Sequence, residues 1–196
     1  TDFQSRLKVT QQAGEALAET ERKLIDVALE TRTSIQDNSL LYLRLSENVD
    51  RAKVSQDDLL EIQTTLNKAI SLGGSNAQEA AGAIRQFTQI VGSGFITGFS
   101  QELNSITEQT PGLLKVIVDG MRETNQQFRD LEASGKVGIK ALKTFSENSL
   151  GDLDMLLAAI SSQTDNVREA HENVNITVSR GIGNIGTALT VYMGQV

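Results

Sequence analysis

Cysteine and tryptophan are absent from this chain, proline occurs once, and aromatic residues make up only 4% of its 196 positions. The lack of cysteine excludes disulfides, thiolate metal sites and cysteine nucleophiles. It does not fix the compartment. A single proline removes the commonest helix breaker and so permits long helices. With so few aromatics and 39% apolar residues, a core must be built from Leu, Ile, Val and Ala, and it is thinner than in an ordinary globular chain. Small helical units or elongated packing follow. The only histidine, His171, cannot make a zinc site that needs several. Lys and Arg form no run, and the net charge of -7 argues against broad nucleic-acid binding. No apolar run approaches the ~18 residues needed to cross a bilayer, and nothing at the start resembles a signal peptide. Thr1 cannot initiate translation, so the chain is expected to be an excised or processed piece of a longer polypeptide.

What is present is helical period punctuated by glycine. The 16 glycines fall in clusters, which reads as spacing between helices. Residues 1–13 are polar and weakly patterned. From Glu15 onward, Leu17, Leu24, Ile25, Ala28 and Leu29 share a face. Thr33 or Ser34 caps a second helix carrying Ile35, Leu40, Leu41, Leu43 and Leu45. Ser55 opens a third, with Asp57 and Asp58 in the first turn, where the helix dipole favours acids. Its apolar residues are Leu59, Leu60, Ile62, Leu66, Ala69 and Ile70. Gly73-Gly74 ends it, and Ser75 or Asn76 caps an alanine-rich helix through Ala80, Ala83 and Ile84 to Phe87 and Ile90.

Gly92-Ser93-Gly94 and Gly98 bracket an apolar loop containing Phe95 and Ile96, and a helix follows over about 100–109. Thr110-Pro111 starts the next helix, with Thr as N-cap and Pro in the first position. Leu113, Leu114, Ile117 and Val118 give its face, and Gly120 lies near its end. Thr124 caps a helix that turns Phe128 and Leu131 inward and ends by Gly135. Residues 137–148 carry Val137, Ile139, Leu142 and Phe145, and Leu153 to Ile160 is a short helical pattern. Then Val167, His171, Val174, Val178, Ile182, Ile185, Leu189, Tyr192 and Val196 recur by threes and fours. They describe one seam on a helix of roughly thirty residues, on the order of 45 Å long. No stretch demands a strand; the nearest is the alternating run from Val174 to Val178.

The expected fold class is all-α: a compact multi-helix domain of short helices with longer N- and C-terminal helices. Three segments are expected. Residues 1–54 are N-terminal helices, 55–148 a core domain, and 149–196 a C-terminal helical segment that forms one long helix if unbroken.

Catalytic chemistry is hard to find. Gly181-Ile182-Gly183-Asn184-Ile185-Gly186 is formally G-x-G-x-x-G and follows the alternating run. A dinucleotide fold also needs a following helix and an acid about twenty residues on, and the sequence provides only ten residues after Gly186. Close helix packing explains these glycines better. His171-Glu172 begins like H-E-x-x-H, but position 175 is Asn, and His171 on the seam reads as a packed residue. Glu102 and Glu108 could pair as in a glycosidase. Their spacing places them on different helix faces, and Phe95 and Phe99 are the only nearby aromatics for a sugar. Asp57 and Asp58 are explained by the cap. We therefore expect no catalytic, cofactor-binding or metal residues, no cofactor and no enzyme activity.

The centre reads Ser93-Gly94-Phe95-Ile96-Thr97-Gly98, then Gln101-Glu102-Leu103-Asn104-Ser105-Ile106-Thr107-Glu108-Gln109-Thr110-Pro111. This resembles the signature of the tape-measure domain of bacteriophage tail proteins. Upstream, Gly74-Ser75-Asn76-Ala77-Gln78-Glu79-Ala80-Ala81 is similar to the family's Gly-Ala-Ser-Ala-x-Glu-Ala stretch. Downstream, Asp119-Gly120-Met121 and Leu131-Glu132-Ala133-Ser134-Gly135-Lys136-Val137 are similar to its Gly-Met and Glu-Gly-Lys-Leu elements. Lys23 to Ala28, Leu41-Tyr42-Leu43-Arg44-Leu45 and Ala188 to Gly194 extend the likeness to nearly the whole chain. Phe99-Ser100 resembles an insertion, and Asn125-Gln126-Gln127 stands where the family has Gly-Glu-Leu.

The resemblance implies a structural protein of a phage or prophage tail. Such chains lie inside the tail tube, set its length, scaffold its assembly and leave ahead of the DNA. They are made in the bacterial host cytoplasm. Implied partners are the tail tube protein, tail assembly chaperones and tail initiator or baseplate proteins. The seam at 167–196 suggests self-association, or a clasp within the chain. The alternative is a helical interaction domain of another injection or secretion machine.

Overall fold

A computed structural model describes residues 5, 8, 17–50, 53–93, 105–106, 109–148 and 153–174. Among these residues the chain forms helices and short turns, with no strand, so the all-α class read from the sequence is what the chain adopts. In order they are α1 (Leu17–Thr31), α2 (Ile35–Asn48), α3 (Gln56–Leu72), α4 (Ala77–Ser93), α5 (Pro111–Thr124), α6 (Gln126–Ala133), α7 (Ile139–Asn148) and α8 (Leu153–Ser162). Helical residues 164–174 follow and are called α9 here.

α3 is the central helix, packed on α1, α2, α4, α5 and α8. Its start is fixed by a reciprocal cap. The Asp58 amide donates to the Ser55 hydroxyl at 3.1 Å, and the Ser55 amide donates to the Asp58 carboxylate at 2.9 Å. The Ser55 hydroxyl and amide together hold the Asp58 carboxyl below its ordinary range. Beyond the cap, Leu59, Leu66, Ala69 and Ile70 are fully buried. They join Leu41 and Leu45 of α2, Ile84 and Phe87 of α4, Leu113 and Ile117 of α5, and Leu156 and Ile160 of α8 in one apolar cluster. That cluster runs from Leu24 to Val167.

α5 lies unusually close to two neighbours. A Cβ added at Gly112 would overlap the Ala69 carbonyl oxygen of α3, and one added at Gly120 would overlap the Ala159 carbonyl oxygen of α8. These glycines let backbones touch where any side chain would hold them apart. α6 and α7 close the far side, with Phe128 and Phe145 edge to face at 6.2 Å. Their turn is pinned by Glu132, which accepts two bonds from the Arg122 guanidinium at 2.7 and 2.9 Å and one from the Gly138 amide at 3.0 Å. Arg122 holds the Glu132 carboxyl below its ordinary range.

Several local expectations need correction. Ile25 and Leu29 do not face the core: they are 41% and 69% exposed, while Thr20, Leu24, Val27, Ala28 and Thr31 are buried. α1 is rotated because α3 offers it a polar side, as described below. Ile35, Leu40 and Val137 are likewise exposed. Thr110 holds the N-cap position of α5 with Pro111 next, as expected, but its side chain makes no capping bond; its hydroxyl donates back to the Ile106 carbonyl at 2.6 Å. α6 is capped by Asn125 rather than Thr124, with the Phe128 amide donating to Asn125 Oδ1 at 3.0 Å. The Thr124 hydroxyl instead donates to the Gly120 carbonyl within α5. Of the two candidates before α4, Asn76 is the cap, accepting from the Gln78 and Glu79 amides. Gly92 and Ser93 belong to α4. The apolar loop of Phe95 and Ile96 lies outside the described residues, as does most of the helix expected over about 100–109.

A polar seam and a candidate interaction cleft

The side of α3 that faces α1 and α2 is lined with amides. Gln56 donates to the Thr20 hydroxyl, both side chains being buried. Gln63 Nε2 donates to the Asn38 carbonyl at 2.9 Å and to Asn38 Oδ1 at 3.0 Å, and Asn67 Nδ2 donates to the same Oδ1. Asn38 Nδ2 in turn donates to the Thr33 hydroxyl at 2.7 Å and the Ser34 carbonyl at 2.9 Å. Asn38, Gln63 and Asn67 are completely buried. Outside this seam, Lys23 meets Asp57 at 2.7 Å and Lys68 meets Glu30 at 2.8 Å. These pairs place the start of α1 beside the start of α3 and its end beside the last turns of α3, so the two helices run parallel.

The turn from α1 to α2 is only three residues, Arg32-Thr33-Ser34. The Thr33 amide donates to the Ala28 carbonyl at 2.9 Å and the Arg32 amide to Leu29 at 3.4 Å, the paired bonds that close a helix with a left-handed residue. That residue is normally glycine. Here Arg32 takes it, with φ +55, at a cost of about 1 kcal/mol or more.

A cleft of about 420 Å³ opens where α1 and α3 end beside the last described residues of α9. Its wall includes Glu30 and Arg32, Ser71 and Leu72, Asn76 and Ala80, then His171 and Val174. Ser71 and Ser75 share this wall with His171, but neither hydroxyl is shown bonded to it. The Ser71 hydroxyl donates to the Lys68 carbonyl at 2.8 Å, and the Ser75 hydroxyl to the Gln109 carbonyl at 3.3 Å. His171 is buried against Glu30, with Nδ1 3.9 Å from the carboxylate. Activation of serine requires a base bonded to its hydroxyl.

The sequence candidates scatter. Asp57 pairs with Lys23 and Asp58 caps α3. Glu102, Glu108 and Gly181 to Gly186 lie outside the described residues. Val167 and His171 start the predicted seam and are buried in the chain's own body, while Val174 is 49% exposed on the cleft rim. Among the described residues there is no group of three or more potential metal ligands, and no helix is long and apolar enough to cross a membrane. Sequence reasoning missed Arg32 and the Glu30–Lys68 pair. The signal for Arg32 was available: two helices joined by three residues without glycine or proline.

His171 gives the site a pH dependence. Burial, then the nearby Lys68 charge, lower its pKa from the ordinary 6.5, while Glu30 and Glu172 pull weakly the other way. Because the folded value is below the unfolded one, the unfolded chain takes the proton first. His171 thus costs no stability above pH 6.5, and stability falls as pH drops through that value toward the folded pKa. Urea midpoints measured in steps downward from neutral pH should show this fall, and His171→Asn should flatten it. Equal slopes in both proteins would remove His171 as the cause.

The full chain, residues 1–196, matches the family model described as tape measure protein. No curated protein matches the chain, and no solved structure does. With an all-α fold among the described residues and a family match from the first residue to the last, this chain belongs to the tape measure protein family, structural proteins of the bacteriophage tail.

Proposed function

We propose that this chain is part of the ruler that sets tail length, that it scaffolds growth of the tail tube from the tube interior, and that it leaves ahead of the DNA at ejection. The observation that carries this reading is the family match over residues 1–196. Physical chemistry supports it. A straight α-helix converts residue number to length at about 1.5 Å per residue, and an acidic chain of net charge -7 does not cling to DNA that must follow it. Synthesis takes place in the host cytoplasm. Residues 55–148 are the tape-measure core, and 1–54 and 149–196 flank it. The partners are the tail tube protein, tail assembly chaperones and tail initiator or baseplate proteins. Self-association through the C-terminal seam uses positions from Val174 onward, because Val167 and His171 are already covered.

Deleting residues 175–196 in frame from the phage gene leaves the described body whole. Tails measured by electron microscopy should then be shorter by about 33 Å, the rise of 22 helical residues. Tails of unchanged length would end the ruler role for this segment.

A further inference from the structure

We propose that α1 exchanges between two copies of this chain, each copy seating its α1 in the other's groove on α3. Three observations converge on the hinge. First, Leu17 to Asn48 contains no glycine and no proline, yet the chain reverses at Arg32 with a left-handed arginine. Short hinges under strain favour exchange, because opening them relieves the strain. Second, a row of residues, most of them buried, keeps one register across the turn. Leu24, Ala28, Thr31, Ile35, Asn38, Tyr42 and Leu45 are spaced four, three, four, three, four and three, the spacing of a continuous helical seam. Moving both Arg32 and the extended Ser34, whose ψ is 130, into the right-handed helical region therefore joins α1 and α2 into a single helix of about 48 Å, which carries α1 away from its own body.

Third, α1 is held by contacts that a second copy reproduces in full. Leu24 is its one fully buried member of the main apolar cluster. Its attachment to α3 includes the Thr20–Gln56 bond and the Lys23–Asp57 and Glu30–Lys68 ion pairs. The vacated groove is complementary to α1 by construction, so the occupant is a second copy. Ile35, 47% exposed beside the hinge, lies where the two straightened helices cross and gains cover there.

The absence of cysteine allows a direct test on the full chain. One variant carries Lys23→Cys and another carries Asp57→Cys, both at an exposed ion pair, and circular dichroism checks that each is folded. The two are mixed, briefly unfolded, refolded together at high concentration and treated with a short bis-maleimide. A covalent dimer of the two different chains forms only when α1 of one copy sits on α3 of the other. We expect that dimer, well above the yield from either variant alone. Adding Arg32→Gly to both chains should lower it at least tenfold, since glycine relaxes in the left-handed turn and weakens the straight helix. A yield no higher than in the single-variant controls, or one indifferent to Arg32→Gly, would overturn the exchange.

Discussion

Gly120→Ala should destabilise the domain by about 3 kcal/mol, at the upper end of overpacking effects. The added methyl meets the Ala159 carbonyl oxygen, a backbone atom that cannot rotate aside. Relief requires moving α5 from α8, and with them Leu113, Ile117, Leu156 and Ile160 lose fit. A control of opposite sign is available in α4. A Cβ at Gly82 meets nothing nearer than the end of the Gln109 side chain, at 3.7 Å, so Gly82→Ala should stabilise by up to about 1 kcal/mol through helix propensity. Denaturant midpoints of the two variants should move in opposite directions. If both move the same way, close α5–α8 contact is not what Gly120 provides.

Asn38→Ala should cost a similar amount, about 3 kcal/mol, for a different reason. Asn38 Oδ1 is the acceptor shared by Gln63 and Asn67, and truncation leaves buried amide donors without it. Each such donor costs about 1–3 kcal/mol. Replacing Asn38, Gln63 and Asn67 together by leucine should recover most of the loss, because no polar group is then stranded. A triple variant less stable than Asn38→Ala would show that these amides contribute more than their own satisfaction.

These two positions illustrate what was legible in the sequence. The central helix was, because its signals are local. Ser55 and Asp58 are three residues apart, and the apolar spacing from Leu59 to Ile70 needs no partner to be seen. Gly120 was noticed as part of a Gly-Met element, but its role depends on Ala159, which only the fold brings close. The face of α1 was misread for the same reason. Ile25 and Leu29 are as apolar as Leu24 and Val27, so periodicity alone cannot choose between the stripes. The choice is made by α3, which presents Gln56 to Thr20. Asn125 took the cap from Thr124 because an asparagine side chain reaches the Phe128 amide, and the threonine hydroxyl already has the Gly120 carbonyl within its own helix. His171 was recognised as a seam residue, but its neighbours Glu30 and Lys68 belong to helices far away in sequence, and no local pattern announces them.

The parallel course of α1 and α3 bears on the distance that the described chain covers. Leu17 begins α1 near the first turn of α3, and Val174, the last described residue of α9, lies near its last. The described chain thus starts beside one end of α3 and reaches the other. Roughly 160 residues advance it by about 26 Å, the length of α3, where a straight helix would advance it by about 240 Å. Inside the folded body, residue number and distance are uncoupled. The described body is a knot tied in the chain, taking up many residues and covering almost no length.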